Sequence, residues 1–252
     1  MKNRAAFTFA ETLVIASLGF LLVGLALPSL NDAQQQLQAA QCLNNMRQWG
    51  LAFGLYCNDY RDYLPYTGQS NGTDIGFGFN LRAWYNVLPP YMKQTALKDL
   101  YNSQPPNTPV PGSRSVCICP SAPQISYTPT VTKPYFSYAM NLLNTGTGGR
   151  TYPRSKAALP SQVILLSESE NNDFSFTDGF FIGTYGQPPG NIPRHSGGDN
   201  FVFVDGHAAW YSTNDFSRTA AESNNSSGPQ IEWSHQPPYD IYWFPCSTCK
   251  KT

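Results

Sequence analysis

The stretch from Phe7 to Leu30 constrains this chain more than any other, because it carries a single ionisable side chain, Glu11. As a helix rising about 1.5 Å per residue it is long enough to cross an apolar bilayer core of about 30 Å. Lys2 and Arg4 precede it. Basic residues at that end hold the N-terminus in the cytoplasm and send the remainder out.

A carboxylate inside an apolar span is costly and calls for a partner. A cut between Ala6 and Phe7 would create an α-amino group four residues before Glu11. A neighbouring copy, displaced along the helix axis, could then offer its amine to that carboxylate, neutralising both charges and setting the stagger between subunits. Three plainer readings compete. Glu11 could sit at headgroup level. The segment could be a signal peptide cut after Gly24-Leu25-Ala26, although the run is long for one. It could also be a simple anchor, which explains neither Glu11 nor Pro28.

The short basic leader, Phe7 at the first position after the cut, Glu11 at the fifth, the apolar helix and Pro28 together resemble the prepilin-type N-terminus of type IV pilins and type II secretion pseudopilins. One departure stands out: Ala6 occupies the place where that family has glycine. The resemblance implies cleavage and methylation at Phe7 by a prepilin peptidase. It also implies a single-pass inner-membrane precursor with a cytoplasmic N-terminus, then a homo- or hetero-pilin filament outside, with Phe7, Glu11 and Pro28 as assembly residues.

Of 252 residues only 13 % are charged and the formal net charge is zero. That balance provides no electrostatic footprint for nucleic acid. Aromatics at 14 %, with 21 Pro and 20 Gly, indicate short strands and ordered turns, since the rings supply core area. Six cysteines in an exported chain favour disulfides, with connectivity open. Cys42 and Cys57 cannot pair along one helix, being about 22 Å apart. A four-thiolate zinc site from Cys117, Cys119, Cys246 and Cys249 is the weaker reading, because the spacing is not that of a zinc ribbon.

Past Pro28 the chain turns polar yet stays helical, and Cys42, Met46, Trp49, Phe53 and Tyr56 recur at spacings of four and three. They form one apolar stripe. Pro28 should kink or loosen the helix, which ends between Asn58 and Asp62. Gly68–Gly78 reads as a loop, Trp84–Tyr91 as a short helix closed by the Pro89-Pro90 pair, and Pro105–Gly112 as a linker-like turn. Strands are expected at Ser115–Cys119, with both thiols on one side, and at Tyr135–Ala139 and Val163–Ser167. The clearest hairpin is Asn200–Val204, Asp205-Gly206, His207–Tyr211, in which both turn residues can take positive φ. The tail, Ser212–Thr252, should wrap the sheet, anchored by Trp233, Tyr239, Tyr242, Trp243 and Phe244.

His195, nine residues, then Asp205-Gly206 resembles the C-terminal motif of a large group of prepilin-type proteins, the DUF1559 or SBP_bac_10 type. Cys42–Gln48, Tyr56 with Asp59, Cys119-Pro120, Ser137–Asn141 and Leu165–Glu168 match as well. The group implies export and a pilin-like architecture; its biochemical role is poorly defined.

His195, Asp199, Asp205, His207 and Glu168 are the one concentration of ligand-type side chains outside the cysteines. They could hold a divalent cation, and related pseudopilins bind calcium in a loop. The simpler reading has His195 bonding a backbone carbonyl across the hairpin and Asp205 capping its own turn. No nucleophile elbow, phosphate loop or paired-carboxylate motif appears, and Ser137, Ser167 and Ser196 have no signature that would single one out.

The expectation is an α+β, pilin-like protein: a leader at 1–6, and a long helix at 7–60 whose 7–30 half spans the membrane or fills a filament core. Its 31–60 half is amphipathic, and 61–252 forms an exported domain with a small antiparallel sheet and long loops. It is a structural subunit, not an enzyme, with no resident cofactor expected. The alternative is a membrane-tethered binder of glycans or other surface ligands, stacking sugars on Trp84, Trp210 or Trp233.

Overall fold

The computed structural model describes residues 8–66, 81–104, 107–122, 135, 137–141, 153–168, 180–181, 194–218, 232 and 234–243; side chains of 23, 25–29 and 180–181 are not described. The leader with Ala6 and Phe7, the Gly68–Gly78 loop, Trp233, Phe244, Cys246 and Cys249 lie outside these residues.

Helix α1 (Phe9–Asp59) runs without a break through Pro28. Its start is fixed by a capping box: the Thr8 side chain accepts from the Glu11 N–H, and Glu11 Oε2 accepts from the Thr8 N–H at 2.7 Å. Such a reciprocal cap satisfies donors that the first turn leaves orphaned. The described residues from Thr8 to Leu37 are exposed, and side-chain cover begins at Gln38. From there the expected stripe is buried: Cys42, Met46, Trp49, Phe53 and Tyr56, with Ala52 and Cys57 beside them. The helix stops at Asp59, inside the expected window. Arg61 and Asp62 follow with positive φ, and Asp62 accepts from Ser155 N at 2.7 Å and Arg154 Nε at 3.0 Å.

Helix α2 (Trp84–Val87) meets the second half of α1 through Trp84, which lies against Trp49 and Phe53, and α3 (Leu97–Asn102) packs on α2. As expected, α2 ends at the Pro89-Pro90 pair, with Leu88 as its C-cap. Both prolines enter a 3-10 turn, Pro89–Met92, where a missing N–H costs nothing at the first position.

The sheet contains β1 (Tyr138–Asn141), β2 (Ile164–Glu168), β3 (Phe180–Phe181), β4 (Gly198–Phe203) and β5 (Ala208–Ser212), in the order β3-β1-β2-β4-β5. Four strands are antiparallel, and the two-residue β3 adds to β1 in parallel. Alternation along β4 sends Val202 and Val204 towards α1 and Phe201 and Phe203 to the opposite face. That second face is closed by Phe216 of α4 (Thr213–Phe216) and by the tail residues Ile241 and Trp243. The tail therefore wraps the sheet, and Tyr242 forms a bridge to Val163.

Three local expectations are corrected. Ser115–Cys119 is not a strand: Ile118 N–H donates to Ser115 O, and Ser115 Oγ takes the Cys117 N–H, which folds the segment into turns. The strand expected at Tyr135–Ala139 begins only at Tyr138, because Tyr135 N donates to the Tyr101 hydroxyl instead of a ladder. The β4–β5 connection is a three-residue loop, Val204 to Gly206, rather than a two-residue turn. Gly206 N donates to Phe203 O, Phe203 N donates to His207 O, and Gly206 has φ +95° while Asp205 does not take positive φ. This is a type I turn followed by a glycine bulge. The loop tip lies against α1, where a Cβ on Gly50 would sit 2.1 Å from the Gly206 carbonyl oxygen.

Candidate functional site

Where α1 crosses the sheet, four ligand-type side chains converge: Cys42 from α1, Cys119 from the turns after Ser115, Glu168 from the end of β2 and His195 just before β4. Their ligand atoms all lie within 4.8 Å of one another and all four residues are buried. Cys42 Sγ donates to Glu168 Oε1, His195 Nε2 stands 3.0 Å from the same oxygen, and Cys119 Sγ is 3.5 Å from that nitrogen.

Each member is held from outside. His195 is pinned through its backbone: its N–H donates to Gly198 O, the Gly198 N–H donates back, and Trp210 Nε1 donates to His195 O at 2.8 Å. Asn200 Nδ2 donates to Glu168 Oε1 at 3.0 Å, and the Tyr138 hydroxyl stands 3.3 Å from Cys42 Sγ. Asn45, one turn along α1 from Cys42, donates to Ile118 O. Glu168 Oε2 meets none of these donors although the residue is only 4 % exposed.

The electrostatics follow from water exclusion. Burial pushes the Glu168 carboxyl up, but the hydrogen bond and charge of His195, with the Arg194 charge, outweigh it and hold the group below the ordinary carboxylate range. Burial works against the His195 imidazolium, yet the hydrogen bonds it donates to Cys119 and Glu168 win and push it up to about 10. Burial raises Cys42, whereas hydrogen bonds to Cys42 and His195 overcome burial at Cys119 and bring it down to about 6. A second buried carboxyl, Asp199, is pushed up to about 7 by burial, by the charge of Glu168 and by a side-chain hydrogen bond with Glu168, against the Arg194 N–H and charge. Two carboxyls crowded out of water need a shared proton or a cation.

This arrangement redraws the expected site. His195 and Glu168 do meet, but the His195 ring bonds side chains, not a carbonyl across the hairpin. Asp205 and His207 are at the other end of β4, where Asp205 Oδ1 accepts from His207 N at 3.0 Å and meets Nδ1 at 2.6 Å. His207 stacks on Phe203, with ring centroids 4.4 Å apart. Asp205 caps its own turn, as expected. Asp199 bonds the Arg194 N–H and contributes no atom to the four.

The expected disulfides do not form among the described cysteines: Cys42, Cys57, Cys117 and Cys119 are all free thiols. With Ser115–Cys119 turned rather than extended, Cys117 enters the hydrophobic core and Cys119 alone reaches His195. Trp84, one of the three candidate stacking rings, is fully buried against Trp49 at 4.9 Å. Trp210 is half-exposed but its indole N–H is engaged.

Cys42 and Cys119 are the site residues that sequence reasoning did not join to His195. The signal lay in the segments already matched: Cys42–Gln48, Cys119-Pro120, Leu165–Glu168 and the His195 motif each deliver one member, and Ser137–Asn141 delivers Tyr138.

A single long helix laid over an antiparallel sheet, with a buried thiol, imidazole and carboxylate cluster at the crossing, defines the class as an α+β domain built on one N-terminal helix. The chain belongs to the family described as a protein of unknown function, DUF1559 (SBP_bac_10), whose model matches residues 37–180. The match begins where α1 first gains cover, and it takes in Cys42, Cys119 and Glu168. No curated protein and no solved structure matches the chain.

Proposed function

We propose that this protein is a structural subunit that assembles through the uncovered N-terminal half of α1, as a pilin or pseudopilin does. The observation that carries this reading is the exposure of that half: Phe9 and Phe20 are 81 % exposed, and Leu13, Val14, Ile15, Leu18, Leu21 and Leu22 more than half. These residues point in every direction around the helix, so one flat partner cannot cover them. A bilayer, followed by the same halves of neighbouring copies, covers all sides at roughly 25 cal/mol per Å2 of apolar area buried. Among the described residues, which leave out the side chains of 23 and 25–29, no helix is long and apolar enough to cross a membrane, so the bilayer step rests on the sequence of 7–30. The cap fixes Glu11 in the first turn of α1, and a cut before Phe7 would create an amine four residues ahead of it in sequence. A neighbour's amine meeting that carboxylate sets the axial stagger.

The buried cluster supports a structural rather than a catalytic role. Cys119 and Glu168 approach the same His195 nitrogen, so the carboxylate does not orient the far side of the ring as a nucleophile–base relay requires. The ligand-binding alternative has lost Trp84 to the core and retains, among the described residues, the half-exposed ring of Trp210.

The test uses the full chain expressed in membranes. Replacing Glu11 by Ala should leave insertion intact and abolish crosslinks between α1 helices of neighbouring copies, and mass spectrometry should find a mature chain beginning at Phe7. A chain that keeps Met1 and remains a lone membrane-held species, with no crosslinks in the wild type, would overturn the reading.

A further inference from the structure

We propose that Cys42, Cys119, Glu168 and His195 form a closed tetrahedral site for a thiophilic divalent cation, zinc above all, that fastens α1 to the sheet. Two sulfurs, one imidazole nitrogen and one carboxylate oxygen within 4.8 Å of one another are a donor set and count suited to structural zinc. Calcium and magnesium take six or more oxygens and do not fit two thiols. All four residues are buried, which leaves no open position for water or substrate and makes the site structural.

The surroundings have the form of an outer shell. Asn200 and Tyr138 reach Glu168 and Cys42, and the Gly198 and Trp210 bonds lock the backbone that carries His195. Such partners orient ligands and tune metal affinity. The strongest pointer is the convergence itself: four buried ligand atoms from four separate segments lie within 4.8 Å of one another, and such crowding of thiols, imidazole and carboxylate out of water costs free energy that a cation removes. Zinc with two thiolates, one carboxylate and a neutral imidazole carries one net negative charge. Arg194, electrostatically coupled to Glu168, Cys119 and Cys42, supplies the balancing positive charge.

The ligands come from α1, the turns after Ser115, β2 and the approach to β4, so one ion ties α1 and those turns to the sheet. A helix that is pulled along its axis in a polymer needs such a fastening where it meets its domain.

The full chain is purified in detergent under reducing conditions and its metal content measured by plasma mass spectrometry. About one zinc per chain is expected, with Cys119→Ser and His195→Ala each lowering it at least about tenfold and Asn200→Ala weakening affinity about tenfold. The Asp205→Ala, His207→Ala double variant should retain full zinc. Reconstitution with cobalt(II) should give the thiolate charge-transfer absorption of a tetrahedral site, absent in Cys42→Ser. Should those variants fail to fold, wild-type alkylation decides. Cys42 and Cys119 should be protected until a chelator is added, while Cys57 and Cys117 do not change with chelator. Zinc that is absent, or that Cys119→Ser leaves unchanged, overturns the proposal. So does protection of Cys42 and Cys119 that ignores the chelator, or a Cys42–Cys119 disulfide in the unreduced peptide map.

Discussion

Arg218 and Glu232 form an ion pair from which water is excluded, with side chains 1 % and 0 % exposed and Nε to Oε1 at 2.9 Å. Arg218 also donates to the carbonyls of Asp215, Ser217 and Ile241 and lies 3.5 Å over the Tyr239 ring, while the Trp243 N–H donates to Glu232. Arg218→Ala strands a buried carboxylate and should cost about 3–5 kcal/mol. The double variant Arg218→Met, Glu232→Leu should lose much less, and chemical denaturation of the three chains checks the order. Asp62 is a milder case, about a third exposed. Burial pushes its carboxyl up, but the Ser155 hydroxyl and N–H and the Arg154 guanidinium outweigh this and hold it below the ordinary range. A folded pKa below the unfolded value near 3.9 contributes stability above that value, lost as pH falls through the folded one. Asp62→Asn, which keeps the positive φ comfortable, should therefore cost less than about 1 kcal/mol at pH 7. Its deficit should vanish in acid; a deficit independent of pH would contradict the charge argument.

The β4–β5 hairpin and α1 are matched through their glycines. Gly206 is needed for its φ of +95°, and Gly50 because the Gly206 carbonyl occupies the space of its Cβ. Backbone meets backbone there, so no rotamer change relieves a clash. Gly50→Ala should destabilise by on the order of 1–3 kcal/mol, as overpacking does. Gly54, one turn further along α1, has nothing within 4 Å of its Cβ position. Gly54→Ala should stabilise by roughly 0.5–1 kcal/mol through helix propensity. Opposite signs at two glycines one turn apart, read by thermal unfolding, are the expected outcome; equal effects would place the hairpin elsewhere.

The molecule divides into a rod and a domain that share one helix. Every described residue from Thr8 to Leu37 is exposed, so those residues add nothing to the domain's core. A chain beginning at Leu37 should keep the thermal midpoint of the full chain and lose its self-association, measured by calorimetry and sedimentation. The other end behaves differently. Ile241, Tyr242 and Trp243 are buried, and Trp243 Nε1 donates to Phe216 O. Removing residues 232–252 uncovers one face of the sheet and should abolish cooperative unfolding.

Periodicity and punctuation carried the reading of the chain a long way. The 3.6-residue stripe from Cys42 to Tyr56 identified the face of α1 that is buried, and the positive-φ need at Gly206 located the hairpin. Both are local: a helix face or a turn is decided by residues within a few positions of one another. The four-residue cluster is not local, since its members come from positions 42, 119, 168 and 195. Sequence pattern tells which side chains turn inward but not which inward ones meet. That depended on strand register and on Ser115 bending its segment into turns. So the apolar rod and the buried stripe that follows it were legible in sequence alone. Only the packing of α1 across the sheet decided that two thiols would lie beside a histidine and a glutamate instead of joining each other.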